Sequence, residues 1–157
     1  MLVFVVYYNG QPKRQSWYQS NKWHREGDFP AYIHYYKNGQ PLSQSWYQSN
    51  KWHREGDLPA RIKYYENGQL ESEWWYHFDK LHRESDLHAE IWYHTNGQPQ
   101  IQRWYQYGKL HRFGIKMVSC TKKAICLLLF STTKTVKYIV TINFVSNLKI
   151  ICYYFQT

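Results

Sequence analysis

Short runs of β-branched and aromatic residues alternate with turn-forming residues along residues 1–112 of this 157-residue chain. In the clearest example, residues 60–65 and 70–76 flank Asn67-Gly68. Asn-Gly between two such runs is the strongest short-range signal for a β-hairpin, because a type I′ turn needs positive φ at both central residues. The pattern predicts four such hairpins, whose turn glycines are Gly10, Gly39, Gly68 and Gly97.

A second turn is predicted after each Trp-Tyr pair. The residue there varies, but every type found tolerates the left-handed region of backbone conformation. The turn residues are Asn21, Asn50, Asp79 and Gly108, and the tryptophans that precede them are Trp17, Trp46, Trp75 and Trp104. Each unit is therefore expected to contain two hairpins.

Both turns recur every 29 residues over residues 7–112, without an insertion or deletion. A fixed period of this size is typical of repeat arrays, in which each unit buries its apolar face against its neighbours. The aromatic pairs are spaced alternately by 11 and 18 residues, and no helical period is present. We therefore expect an all-β fold in residues 1–114, an elongated array of antiparallel hairpins laid side by side, with Pro30 and Pro59 entering the next strand.

Composition divides the chain in two. Residues 1–114 carry 14 Lys and Arg against 11 acidic residues, whereas residues 115–157 carry six Lys, no acid and all three Cys. The basic balance is thus weak evidence for an anionic partner of the repeats. We expect residues 115–157 to be a non-repeat, irregular tail. The odd number of cysteines and the lack of a signal peptide or transmembrane segment favour an intracellular, cytoplasmic setting.

The genetic code suggests an origin for this tail. Joining the third base of each codon to the first two bases of the next converts Lys116-Met117-Val118 into Asn or Asp followed by Gly. The same shift over residues 113–137 permits the repeat motif over 24 codons. We therefore expect the tail to be repeat DNA translated out of frame, although a genuine basic tail would also permit this reading.

The repeats resemble a known family. Residues 105–111, YQYGKLH, are similar to the aromatic-x-x-Gly-Lys-x-His turn of the MORN repeat (membrane occupation and recognition nexus), especially to variant units in bacterial and large-DNA-virus proteins. The common MORN unit is shorter, near 23 residues, and ends in a Gly-rich segment where this chain has His-Arg-Glu-Gly-Asp. The resemblance implies a hairpin ribbon with a binding or scaffolding role, and no catalytic activity. The aromatic repeats also resemble choline- or glycan-binding repeats of secreted proteins, whose ligands lie on aromatic faces.

The repeated His-Arg pairs are the principal candidate site. Two strands per unit would separate equivalent residues by roughly 10 Å, too far for two of the histidines to share one metal ion. Two interpretations remain: an exposed or edge ladder in which Arg25, Arg54 and Arg83 meet neighbouring Glu or Asp, or a stripe that binds phosphate groups. The residues are His24, Arg25, His53, Arg54, His82, Arg83, His111 and Arg112.

The repeat pattern gives no pair of residues suited to catalysis. The acids recur as identical sets and do not converge on one cleft, and the four tryptophans are expected to form the packed face of the sheet in preference to a stacking platform. We therefore expect a non-enzymatic scaffold without cofactors that binds a protein partner. The alternatives are binding to anionic membrane and an aromatic ladder for glycan or choline. A nucleic-acid partner ranks third and would require a steep loss of affinity with salt, and no small-molecule substrate is expected.

Overall fold

The computed structural model describes residues 1–84, 87–115, 125–132, 135–144 and 147–155, with side chains described up to residue 114. The described chain is all-β and contains no helix, which confirms the expected fold class. Residues 116–118, on which the reading-frame argument rests, lie outside the described residues.

Seventeen strands are present in the described residues. In chain order they are β1 (Leu2–Tyr8), β2 (Gln11–Gln19), β3 (Lys22–Trp23), β4 (Tyr32–Tyr35), β5 (Pro41–Ser45), β6 (Tyr47–Gln48), β7 (Lys51–Trp52), β8 (Arg61–Tyr64), β9 (Leu70–Trp74), β10 (Tyr76–His77), β11 (Lys80–Leu81), β12 (Glu90–Tyr93), β13 (Pro99–Gln106), β14 (Lys109–Ile115), β15 (Ile125–Thr132), β16 (Thr135–Phe144) and β17 (Asn147–Phe155).

The Asn-Gly hairpins form one antiparallel sheet in the order β1-β2-β4-β5-β8-β9-β12-β13-β14. The second hairpins of the middle units do not join it: β6–β7 and β10–β11 are separate two-stranded ribbons, and β3 pairs only with β2. The expectation that all hairpins lie side by side is therefore wrong for these ribbons. In the second unit the last backbone hydrogen bond of this kind runs from the backbone N–H of Trp46 to the Ala60 carbonyl at 2.8 Å, and Tyr47–Gln48 then pairs only with β7.

Side chains along the main strands alternate between two faces. Face A carries the core of the array, where Trp46 and Trp75 are each 6% exposed and Ile91 is 5% exposed. Face B carries small residues at its centre, and Ser72 is fully buried there. The tail strands β15, β16 and β17 form a separate three-stranded antiparallel sheet.

The Asn-Gly turns of the last three units differ from the expected type I′ geometry. Gly39 has φ +82°, but Asn38 is not at positive φ. The Tyr36 N–H donates to the Gln40 carbonyl at 2.8 Å and the Gly39 N–H to the Tyr36 carbonyl at 3.1 Å, which is a type I turn followed by a left-handed glycine. The Asn38 side chain accepts the Gln40 N–H at 2.9 Å. Asparagine is suited to this position because its side chain closes the turn.

The first hairpin is the exception. Asn9 and Gly10 have φ +48° and +76°, as a type I′ turn requires, and the strand register differs by one residue. Ile33 lies opposite Gln44, whereas Phe4, its equivalent in β1, lies opposite Ser16. A slip of one residue moves side chains to the other face. Phe4 is accordingly 59% exposed and packs edge-on against Tyr18 at 5.4 Å between ring centroids.

Candidate functional site

The His-Arg pairs begin a linker loop that joins each second hairpin to the next main strand. The linker loops are residues 24–30, 53–59 and 82–88, of which 85 and 86 are not described. In the second unit, the backbone N–H of His53 donates to the Trp46 carbonyl at 3.2 Å. The loop ends at Ala60, whose carbonyl accepts a hydrogen bond from the backbone N–H of Trp46. Each loop is therefore anchored at both ends to the tryptophan of its own unit.

Arg54 shows the role of the repeated arginine. Its guanidinium lies 3.9 Å from the centre of a Trp46 ring, and Nη1 donates to the Pro59 carbonyl at 3.2 Å. Nε and Nη2 both donate to the carboxylate of Asp28 in the preceding unit, at 2.6 and 2.7 Å. These hydrogen bonds hold the pKa of Asp28 below its ordinary value. The guanidinium thus joins two units through a bidentate ion pair.

The third unit repeats this arrangement. Arg83 lies 4.1 Å from a Trp75 ring and binds Asp57 at 2.6 and 2.7 Å, again lowering the pKa of that carboxyl through hydrogen bonding. The expected ladder of arginines and neighbouring acids is therefore present at Arg54 and Arg83. The sequence did not indicate that each acid comes from the preceding unit.

Arg25 has the same local setting without the carboxylate. Its guanidinium lies 4.0 Å from the centre of a Trp17 ring and 4.8 Å from the centre of the Phe29 ring. Nη1 donates to the Pro30 carbonyl at 3.3 Å, and no acidic side chain pairs with Arg25 among the described residues. Burial lowers the pKa of this guanidinium. At the other end of the array, Arg112 lies 5.0 Å from the Trp104 ring centre.

The exposed form of the expected ladder is wrong for His53 and His82, because each of these side chains is only 7% exposed. The next unit covers them: Phe78 stacks on His53 at 4.2 Å and Tyr107 on His82 at 4.3 Å. Their Nε2 atoms lie 3.1 and 2.8 Å from the carboxylates of Glu55 and Glu84, respectively. The histidines therefore occupy positions between units.

The terminal histidines have different surroundings. No ring stacks on His24 in the described part of the chain, and the equivalent of Phe78 in the second unit is Ser49. His111 is exposed. No group of three or more metal-binding side chains occurs among the described residues.

The second hairpins place a row of rings on face B. Trp23 lies 4.8 Å from Tyr47, Tyr47 lies 4.5 Å from Trp52, and Trp52 stacks on Tyr76 at 5.4 Å. Burial raises the pKa of Tyr47 well above its ordinary value. Trp17, Trp46 and Trp75 instead lie in the packed face A, and Trp104 is half-buried. The described rings thus pack mainly on one another.

The second turns carry a contact that sequence reasoning missed. Asn21, Asn50 and Asp79 have φ between +58° and +70°, and Gly108 has φ +83°. In addition, the Asn50 side chain accepts a hydrogen bond from the backbone N–H of Trp23 at 2.6 Å. The Asp79 side chain accepts one from the backbone N–H of Trp52 at 2.7 Å. The signal was present, since Asn or Asp stands at three turns where Gly would satisfy the backbone alone.

Each linker loop exposes one apolar residue and one glutamate at equivalent positions. Phe29, Leu58 and Leu87 are 58%, 44% and 39% exposed, and the side chains of Glu55 and Glu84 are 84% and 81% exposed. We define the linker margin as these apolar residues together with the three glutamates: Phe29, Leu58, Leu87, Glu26, Glu55 and Glu84.

Open grooves border the linker loops. The groove between the first two loops has a volume of about 660 Å³ and the groove between the second and third has one of about 140 Å³. A groove between the third loop and residues of β13 and β14 has a volume of about 130 Å³. The first groove is lined by residues that include His24, Arg25, Glu26, Phe29 and Glu55. It is the largest of these three grooves.

A row of lysines follows the tips of the second hairpins. One lysine stands directly after each of the four turns, and all are exposed: Lys22, Lys51, Lys80 and Lys109. This basic row is distinct from the linker margin.

Comparisons of the chain with protein-family models, with curated proteins and with solved structures find no match. Over the residues for which the structure accounts, there is no helix of the length and apolar character needed to cross a bilayer.

Proposed function

We propose that the chain is a non-enzymatic, MORN-like repeat scaffold that binds a protein partner through the linker margin. The observation that carries the proposal is the recurrence of one exposed apolar residue at the same position in three successive units, at Phe29, Leu58 and Leu87. Exposed apolar side chains grouped in this way and bordered by polar residues are typical of protein interaction sites.

The spacing of the linker margin suggests the form of the partner. Each unit adds two strands to the main sheet, so equivalent residues recur at roughly 10 Å, given ~4.8 Å between strands. Three residues of a polyproline II segment span about the same distance, at ~3.1 Å per residue, and bring a side chain back to the same side of the segment. The exposed glutamates favour a basic partner. We therefore propose a basic segment in the polyproline II conformation with an apolar residue at every third position.

The contacts of the loop residues support a binding role over a phosphate stripe or a catalytic site. Arg54 and Arg83 each direct two donors at an aspartate, which leaves those two guanidinium edges occupied. His53 and His82 lie beneath rings. The exposed charges that remain on the loops include Glu55 and Glu84, which would repel a phosphate group.

Site-specific photocrosslinking tests this proposal. A photoreactive amino acid replaces Leu58 in the full chain, and the matched control carries it at Leu2, which is 57% exposed on β1. We expect a discrete protein adduct at position 58 that is lost when Leu87→Ser is added. The proposal fails if position 58 gives no adduct, or if position 2 gives the same one.

Binding to anionic membrane is a second candidate, favoured by the exposed row of Lys22, Lys51, Lys80 and Lys109. Each lysine close to an anionic surface contributes about 1 kcal/mol. Flotation with phosphatidylserine vesicles tests this candidate in the full chain. If it is correct, replacing the four lysines by Gln abolishes a salt-sensitive flotation that Leu58→Ser leaves intact; flotation that persists without the lysines excludes the row as the membrane surface.

A further inference from the structure

We infer that the first groove holds an aromatic side chain of the protein partner, stacked on the imidazole of His24. The inference rests on the proposed function, because it identifies the type of partner residue that enters the linker margin at this groove. The supporting observation is a difference between equivalent histidines. His53 and His82 each carry a ring from the following unit, whereas no ring stacks on His24 among the described residues.

The protein itself shows what covers this imidazole. Phe78 lies nearly parallel to His53, with an angle of 5° between the rings and 4.2 Å between their centroids. Tyr107 lies on His82 in the same manner, at 15° and 4.3 Å. Each covered histidine is only 7% exposed. Two units therefore bury the repeated histidine beneath a stacked ring, a contact that stabilises aromatic groups beyond the area that they bury.

Ser49 stands at the equivalent position of the second unit and leaves His24 uncovered. The backbone is the same at all three positions, because φ is +52° at Ser49, +45° at Phe78 and +50° at Tyr107. Only the side chain differs, and a serine is too short to cover an imidazole. His24 is accordingly half-buried and lines the first groove, whereas His53 does not line the next one. The open position thus lies between two units that the structure describes.

The lining of the first groove suits a ring carried on a basic segment. Phe29 and Leu58 are 58% and 44% exposed there and provide apolar contacts. Glu26 and Glu55 line the same groove and favour basic residues beside the ring. Arg25 lines it as well, but its guanidinium lies against rings of its own unit. An aromatic anchor in such a pocket is a frequent centre of binding energy in protein interfaces.

The ring also fixes the register of the partner on the array. The other two grooves have volumes of only about 140 and 130 Å³, against about 660 Å³ for the first, and rings already lie on His53 and His82. A segment with an apolar residue at every third position therefore has one place for an aromatic residue, over His24.

The test is a titration of the full chain, labelled at histidine, followed by nuclear magnetic resonance of the imidazole C–H groups. The probe is the blocked tripeptide Lys-Phe-Lys, and the control peptide is Lys-Leu-Lys. We expect the His24 resonance, assigned with His24→Gln, to move saturably with the probe. The His82 resonance should stay in place, because Tyr107 covers that imidazole. The control peptide should bind about two- to tenfold more weakly, as loss of a ring-on-ring contact implies.

Ser49→Phe fills the groove from within the chain. Because the backbone at Ser49 matches that at Phe78, the new ring should stack on His24, shift its resonance without any peptide, and abolish binding of the probe. The same substitution should remove the photocrosslinked adduct at position 58. Ser49→Ala is the matched control and should bind the probe as the unchanged chain does.

The inference is overturned if the His24 resonance stays in place, if both peptides move it equally, or if Ser49→Phe leaves binding of the probe unchanged. A His24 resonance that moves with protein concentration alone would reveal a second copy of the chain in the groove, and would also overturn it. If the probe fails while photocrosslinking at position 58 still finds a partner, only the ring site is wrong. If the probe binds but crosslinking fails, the ring site stands without the wider surface.

Discussion

Replacing Asn50 by Gly separates two contributions of this turn residue to stability, its left-handed backbone conformation and its side-chain hydrogen bond. Asn50 has φ +70°, a conformation that glycine adopts without steric cost, so the backbone alone predicts a neutral or slightly stabilising effect. The Asn50 side chain, however, accepts a hydrogen bond from the backbone N–H of Trp23 at 2.6 Å. We predict that Asn50→Gly lowers the free energy of unfolding by about 0.5–1.5 kcal/mol, the usual net contribution of one hydrogen bond.

The measurement is urea unfolding of the full chain followed by tryptophan fluorescence, with the free energy taken from the midpoint at a constant slope. Asn21→Gly is the matched control. Asn21 also has positive φ, +58°, but no donor in the described residues reaches its side chain. We expect the control to change stability by less than about 0.5 kcal/mol. Equal effects of the two substitutions would refute the role assigned to the side chain.

Introducing Asn at the turn that carries Gly provides an independent check of the side-chain hydrogen bond. Gly108 occupies the same turn position, and its N–H already donates to the Leu81 carbonyl at 2.9 Å. A Cβ added there would meet only Lys80, at an ordinary contact distance of 3.8 Å, and the φ of +83° is a left-handed conformation that costs Asn less than it costs most other residues. Gly108→Asn should therefore place a side-chain oxygen near the Leu81 N–H and leave the protein equally stable or more stable, by up to about 1 kcal/mol. A loss of more than about 1 kcal/mol would contradict the reasoning.

Three further predictions concern other parts of the chain. Because hydrogen bonds from Arg83 lower the pKa of Asp57 in the folded state, the pair stabilises the fold above the ordinary carboxyl pKa of 3.8, and this contribution is lost as pH falls through the lowered value. Asp57→Asn should thus destabilise the protein at pH 7 and make the loss of stability at acid pH shallower in urea midpoints measured across the pH range. Ile33→Ala, at a side chain that is 9% exposed, should cost about 2–4 kcal/mol, whereas Phe4→Ala, at one 59% exposed, should cost less than about 1.5 kcal/mol; similar costs would contradict the slipped register of β1. Finally, DNA sequencing across codons 105–140 should reveal the repeat motif in the shifted frame, and any other sequence there ends the out-of-frame hypothesis.

The sequence was sufficient to predict the hairpins and their period, because Asn-Gly and the aromatic pairs are local signals. It was insufficient for the turn type at Asn38, since the same dipeptide fits a two-residue loop with positive φ at both positions and a three-residue loop with only Gly39 left-handed. The slip of β1 was also beyond local reasoning. The strand Leu2–Tyr8 is apolar on both faces, so its pattern does not specify a register.

The candidate site was predictable in residue types but not in partners. The recurrence of His-Arg beside acids indicated ion pairs, and Arg54 with Asp28 confirms that reasoning. A periodic sequence is identical under a shift of one unit, however, so it cannot tell whether an arginine binds its own aspartate or that of the neighbour. For the same reason, only the arrangement of the units in space shows that Phe78 buries His53. The same is true of Arg25, which has no paired carboxylate among the described residues.

Several contacts join a side chain of a later unit to the unit before it. Asn50 closes the hairpin that contains Trp23, Arg54 binds Asp28, and Phe78 covers His53. During synthesis the earlier unit leaves the ribosome first, with its donors and its imidazole still open to water. Each newly made unit can then add these contacts to the previous one, so that the array is able to fold progressively while translation continues.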